Sequence, residues 1–222
     1  MSHQTIVTGP KCAKTTIILA HGAGGAMDSK WMDAMCEALS QQDLQVVRFE
    51  FTYMAARRTT GKRTPPPRAE RLQDEYKSIV SQVGKHRRIV IGGKSMGGRV
   101  ASMIADELRK DGLISGLLCL GYPFHPLGKP DVSRTAHLER LQTLALICQG
   151  TRDHFGTREE AAFYPLSKSI ELCWLEDGDH DFKPRKAVSE LTLDDNLRRA
   201  ARKIAEWAEG LGANVSDDIA GT

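Results

Sequence analysis

The stretch RIVIGGKSMGGRVASMIADEL, residues 88 to 108, decides how this chain is read. Arg88–Gly92 is a short apolar run of strand character, Met96–Lys110 has helical spacing, and only Gly93, Lys94 and Ser95 lie between them. A chain turning this sharply from strand to helix holds the middle residue in a strained backbone conformation and lifts its side chain above the sheet edge. Side chains two positions before and after that residue would collide. Gly93 and Gly97 fill those positions, so the segment fits the G-x-S-x-G bend with Ser95 at its tip. A plain helix N-cap at Ser95 leaves the glycines unexplained. A capping box wants Glu or Gln where Gly98 stands, and each glycine in a first helical turn costs about 1 kcal/mol against alanine. A phosphate loop also fails, because Arg88 occupies the place of the first glycine in G-x-x-x-x-G-K-[ST].

Working outward, the same alternation repeats. Strand-like runs stand at Thr15–Ala20, Gln45–Phe51, Ser115–Gly121, Leu144–Gln149 and Ser169–Leu175. Helical spacing marks Asp28–Gln41, Ala69–Val83, Thr135–Gln142, Thr157–Pro165 and Leu193–Gly210. Near-continuous apolar strands separated by helices imply a parallel sheet covered on both faces, with right-handed crossovers: a doubly wound α/β sandwich. The reading is of one domain over residues 1–210, with a flexible tail over 211–222. Thr52–Arg68 reads as an irregular basic segment whose triple-proline end is extended.

Composition narrows the function classes. The 222 residues are 41% hydrophobic and 27% charged, as expected of a folded globular chain. The net charge of +3 gives little reason to expect a nucleic-acid partner. No apolar run approaches the roughly 18 residues a bilayer span needs, and the first residues lack a secretory signal layout, so the expected address is cytoplasmic, without membrane association. Five cysteines with no CxxC pair argue against a zinc cage or disulfide framework, and Cys119, Cys148 and Cys173 read as small buried hydrophobes. GAGGAM breaks the dinucleotide fingerprint at Met27, and the acidic loop after the last strand run lacks the glycine and glutamate of a calcium loop. Neither cofactor nor metal is expected.

In an open parallel sheet, reactive groups gather just past the carboxyl ends of strands. Four such loops carry unusual residues: HGAGG from His21, GKSMGG from Gly93, GTRDHFG from Gly150 and EDGDHDF from Glu176. A serine hydroxyl needs a base, oriented in turn by an acid, and on this type of sheet the order is serine, acid, histidine. His125, His137, His154 and His180 follow Ser95. His180 lies beyond the last strand and follows the best acid candidate, Asp153. Asp177, Asp179 and Asp181 share the loop of His180 and are poorly placed to reach its far ring nitrogen. The N–H groups of Ala23 and Met96 are the candidate oxyanion hole, and His21 is expected to brace its own loop. Arg57, Arg58, Lys62, Arg63, Arg68 and Arg71, with Lys94, Arg99, Lys129 and Lys183, are read either as a basic rim attracting an anionic substrate or as a solvated surface.

The four loops, in this order and spacing, resemble the alpha/beta-hydrolase superfamily. GKRTPPPR (61–68), GGKSMGGR (92–99) and LGYPFHPLGKP (120–130) further resemble small lidless members near the dienelactone-hydrolase-like group. These are related to a testis-expressed hydrolase-like protein and a subunit of the nonspecific-lethal chromatin complex. The resemblance implies Ser95 as nucleophile, Asp153 as acid and His180 as base. Only Gln4–Val7 is available for the usual first strands, and no long insertion separates Tyr122 from Leu144. The expected sheet is therefore trimmed to about six or seven strands, beneath a shallow open site. The expected activity is hydrolysis of small carboxylic esters or thioesters through an acyl-enzyme, with the anionic substrate an open possibility. The alternative is a non-catalytic protein-interaction module on the same scaffold.

Overall fold

The computed structural model describes residues 4–84 and 88–211; the expected flexible tail therefore lies, beyond Leu211, outside the described residues. Among the described residues, seven strands form one sheet in the order β1-β3-β2-β4-β5-β6-β7. They are β1 (Thr5–Thr8), β2 (Thr15–Ala20), β3 (Gln45–Phe49), β4 (Arg88–Lys94), β5 (Gly116–Leu120), β6 (Ala145–Gly150) and β7 (Ile170–Leu175). Every pairing is parallel except β1 with β3. The helices are α1 (Lys30–Ser40), α2 (Thr52–Thr60), α3 (Gln73–Val83), α4 (Met96–Lys110), the single turn α5 (Arg158–Ala161) and α6 (Leu193–Gly210). No helix among the described residues is long and apolar enough to cross a membrane.

The apolar strand runs are explained by two covered faces. Along β2, Ile18 and Ala20 face the layer of α3 and α4, whereas Ile17 and Leu19 face that of α1 and α6. The same alternation sends Leu117 and Cys119 of β5 one way and Leu118 and Leu120 the other. All eight of these side chains are completely buried, and burial of each large one stabilises the fold by roughly 1.5–3 kcal/mol. Helix α6 needs only one apolar stripe. Leu197, Ala201, Ile204 and Ala208 pack inward, and a Thr192–Asp195 capping box starts the helix.

Several expectations from sequence are corrected. The basic segment opens as a helix: α2 runs through Thr60 and stops where Gly61 takes φ +68°. Only residues 61–68 are irregular, as the prolines required. The expected helix at Thr135–Gln142 shrinks to a 3-10 turn, Leu138–Arg140, and that at Thr157–Pro165 to α5. A 3-10 turn, Ala69–Leu72, precedes α3. Cys119 and Cys148 are buried, but Cys173 is only half-buried because β7 is an edge strand. Cys173 also faces Cys148 in register, a proximity that sequence spacing could not show.

The order of strands puts the site where a ligand has room. β3 and β4 flank β2 on opposite sides, so the chain's winding reverses there and a crevice opens beyond the carboxyl ends of β2 and β4. Tyr76 of α3 pins these strands together. Its buried Oη lies 2.7 Å from the Ile18 carbonyl and 2.6 Å from that of Gly92, and accepts the Gly92 N–H at 2.8 Å. Tyr76→Phe leaves these buried backbone groups short of partners and is expected to cost about 1–3 kcal/mol, read as a lowered urea midpoint with an unchanged m-value.

Candidate active site

β4 ends at Lys94, α4 starts at Met96, and Ser95 between them has φ 52° and ψ −116°. This is a left-side conformation a serine seldom adopts, and it is sustained only by its surroundings. The Ser95 N–H is held by the Leu120 carbonyl at 2.9 Å, while its side chain makes no capping hydrogen bond. Two glycines permit the bend. A Cβ on Gly93 would stand 2.4 Å from the Gly97 carbonyl carbon, and one on Gly97 would stand 2.7 Å from both the Ala20 and His21 oxygens. The bend is thus pressed against the end of β2, and the hydroxyl is left facing the crevice.

The loop after β6 carries Asp153, which is fully buried. Its Oδ2 lies 2.8 Å from His180 Nδ1 and accepts from Gln149 Nε2 at 2.9 Å, while Oδ1 accepts the Phe155 N–H at 2.9 Å. A carboxylate so placed keeps the imidazole proton on Nδ1 and leaves a lone pair on Nε2. The Phe155 ring packs on His180 with centroids 4.4 Å apart. Ser95 and His180 line one cavity of about 440 Å³, together with Gly22, Ala23, Gly24 and Lys94. The arrangement can present a hydroxyl, a basic nitrogen and a glycine-rich backbone to one small ligand.

The remaining candidates are spent elsewhere. Asp177 pairs with Arg185 and Arg152, and the Arg185 guanidinium holds its carboxyl below the usual range. Asp179 accepts the N–H groups of Asp181 and Lys183, which folds the His180 loop. His125 bonds the Pro126 carbonyl, His137 meets the Ser102 hydroxyl at 2.8 Å, and His154 is exposed.

The loop after β2 is braced as expected. His21 Nε2 accepts the Phe51 N–H at 3.2 Å, so its proton sits on Nδ1 and is donated to the Gly22 carbonyl at 2.7 Å. Burial pushes its pKa below the ordinary 6.5 and keeps the ring neutral. Tyr53 Oη donates to the Ala23 carbonyl at 3.0 Å, fixing the peptide next to the crevice. Met96 opens α4, and the first N–H groups of a helix have no intrahelical acceptor.

Three participants escaped the sequence reading. Gln149, the last residue but one of β6, lies beneath Asp153, and its amide oxygen also accepts the Tyr122 N–H at 2.7 Å. Lys94, expected on a basic rim, is buried: Nζ donates to the His180 carbonyl at 2.6 Å, pairs with Asp181 at 3.2 Å, and sits over the Trp31 ring. Arg58 is exposed, but its charge is matched: it bridges buried Glu50 to Asp28 and ties α2 to the loop that carries Ala23. A signal for Lys94 existed in its position inside the bend; its partner lies 86 residues along the chain and had none.

Comparison with known proteins agrees with this architecture. A family model described as an alpha/beta hydrolase domain matches residues 13–209. Among solved structures, an alpha-beta serine hydrolase homologue from Coxiella burnetii superposes with a TM-score of 0.66 at 19% identity, covering 91% of this chain and 89% of that one. A lidless serine hydrolase from Xanthomonas campestris gives 0.64 at 21% identity, over 91% and 88%. A dienelactone hydrolase from Anabaena variabilis gives 0.65 at 18%, over 91% and 89%. At these identities the superpositions establish a shared fold.

Two outcomes test the local physics. Gly97→Ala forces a methyl into two carbonyl oxygens and is expected to destabilise the chain by about 1–3 kcal/mol in urea unfolding, with the larger loss if the bend cannot yield. Burial lowers the folded-state pKa of both His21 and His137, so the unfolded chain takes up protons first as pH falls below 6.5. Their contribution to stability is therefore complete above that pH and lost below it. Urea unfolding between pH 7.5 and 5 should show the decline, and His21→Gln should flatten part of it.

Proposed function

The chain belongs to the alpha/beta hydrolase family, and on that premise we propose that it is a serine hydrolase cleaving carboxylic esters or thioesters of small acyl groups. Ser95 is the nucleophile, His180 the base and Asp153 the acid that orients it. The observation that carries this reading is the 2.8 Å contact between His180 Nδ1 and a fully buried Asp153 carboxylate, with Ser95 held in a strained bend on the wall of the same cavity. A structural histidine has little need of a desolvated carboxylate behind it, and a structural serine has none of a positive φ. Fold relatives that include an esterase domain from Rhodothermus marinus and a monoacylglycerol lipase from Paleococcus ferrophilus lend support at the level of reaction class.

The mechanism follows from the groups in hand. Nε2 of His180 takes the Ser95 proton as Oγ attacks the acyl carbon, and Asp153 stabilises the imidazolium that forms. The Ala23 and Met96 N–H groups receive the developing oxyanion, with Ala23 steadied by Tyr53 and Met96 by the start of α4. His180 then returns its proton to the leaving oxygen or sulfur as that bond breaks. Water, deprotonated by the same nitrogen, attacks the acyl-enzyme and releases the acid, with the proton restored to Ser95. Every proton passes through one imidazole, so no cofactor is required.

A fluorophosphonate probe tests the assignment. Wild type should be labelled on Ser95, Ser95→Ala should not, and His180→Ala should be labelled at least about a thousandfold more slowly, given the losses seen when a triad member is removed. Equal labelling of wild type and Ser95→Ala overturns the proposal.

A further inference from the structure

Ser95 borders two hollows. Besides the cavity shared with His180, a second one of about 530 Å³ opens on its other side, and Ala23, Ser95 and Phe155 belong to both walls. The second hollow is lined by Arg68, Arg99 and Arg134, against a single carboxylate, Glu70. Four prolines, Pro66, Pro67, Pro123 and Pro126, make much of the remaining wall and fix its shape.

The charges there are not balanced internally. Arg99 gives Glu70 one bond at 3.2 Å from Nη2, and its Nε is buried with no hydrogen-bond partner among the described residues. Neither Arg68 nor Arg134 forms an ion pair among the described residues. Burial, together with the neighbouring Arg99 charge, holds the Arg134 guanidinium below its usual pKa. Three arginines stand against one carboxylate on this wall, an excess of positive charge that a bound anion offsets.

The orientation of a bound ester follows from proton transfer. The leaving atom must come within hydrogen-bond reach of His180, which lines only the first hollow, so the leaving group occupies that side. The acyl chain then extends into the arginine-lined hollow. Arg99 stands one helical turn beyond Ser95, its N–H bonded to the Ser95 carbonyl at 3.0 Å. Ser95 and Arg99 line the wall of the same hollow, so a guanidinium can meet the far end of a short acyl chain.

We propose that the second hollow is an acyl subsite for a terminal carboxylate, so that the preferred substrates are half-esters or half-thioesters of short dicarboxylic acids, with Arg99 and Arg134 as the carboxylate-binding residues. This rests on the reading of Ser95 as nucleophile and deepens it. The reaction remains hydrolysis: ester and water give a dicarboxylate and the free alcohol or thiol. The planar guanidinium fork can hold the carboxylate through paired hydrogen bonds.

The test compares mono-p-nitrophenyl adipate with p-nitrophenyl hexanoate, which share leaving group and acyl length and differ in the terminal charge. Wild type should favour the adipate in kcat/KM by at least about tenfold at low salt, and the preference should shrink as ionic strength rises. In Arg99→Gln and in Arg134→Gln the adipate-to-hexanoate ratio should fall severalfold, and in the double variant to about one. Arg134→Gln, in a loop away from the bend, carries the test if Arg99→Gln does not fold by circular dichroism. Ser95-dependent hydrolysis of both esters without preference, or a preference that survives both substitutions, overturns the subsite and leaves the hydrolase reading standing. Absence of Ser95-dependent turnover and of Ser95 labelling overturns the hydrolase reading and the subsite with it.

Discussion

The structure turns on a steric constraint at one bend. Gly93 and Gly97 touch backbone where any side chain would clash, and Ser95 between them is forced to a positive φ. That contact fixes how close β4 and α4 come to the end of β2, and so fixes the crevice between Ser95 and the glycine-rich loop. The strain is local and costs on the order of 1–3 kcal/mol. It is held by what surrounds it: the Tyr76 hydroxyl inserted between β2 and β4, and the Leu120 carbonyl that holds the Ser95 N–H. A constrained, positive-φ backbone thus carries the residue proposed to react.

Around that bend the polar groups are layered by burial. Asp153 is satisfied on both oxygens, Gln149 spans the gap between the Tyr122 backbone and Asp153, and Lys94 holds the His180 carbonyl from below. A buried ammonium is costly unless matched, and here a carbonyl, Asp181 and two aromatic rings meet it. The residue that precedes Ser95 therefore serves as an anchor for the opposite loop. It joins β4 to the segment after β7, the two pieces of chain that lead to Ser95 and carry His180.

Much of the fold was legible in the chain because a doubly covered parallel sheet writes itself as apolar runs of regular length. Six strand runs and the long helices α1, α3, α4 and α6 fall where periodicity put them, with ends shifted by a few residues. The misreadings have a common cause. Helix α2 has little apolar stripe to announce it, burying only Met54, and it was absorbed into a basic segment. The turns at Leu138–Arg140 and Arg158–Ala161 lie in segments whose apolar residues imitate a helical face, yet each turn buries a single residue, Leu138 or Ala161, which is too little to hold a longer helix. Charge is as hard to place from sequence: Lys94 is buried against Asp181 and two rings, and Arg58, though exposed, is matched by Glu50 and Asp28.

What the sequence by itself determined is the set of local necessities: a serine on a glycine-flanked bend, an acid and a histidine on later loops, and strands fit for burial on both faces. Those follow from sterics and periodicity, which act over a few residues. Only the tertiary structure decided the other pairings: that Gln149 backs Asp153, which cations are consumed as struts, and which arginines line a hollow beside Ser95. Such pairings depend on strand order and loop approach across the sheet. Electrostatic partners chosen through space leave no trace in the spacing of residues along the chain.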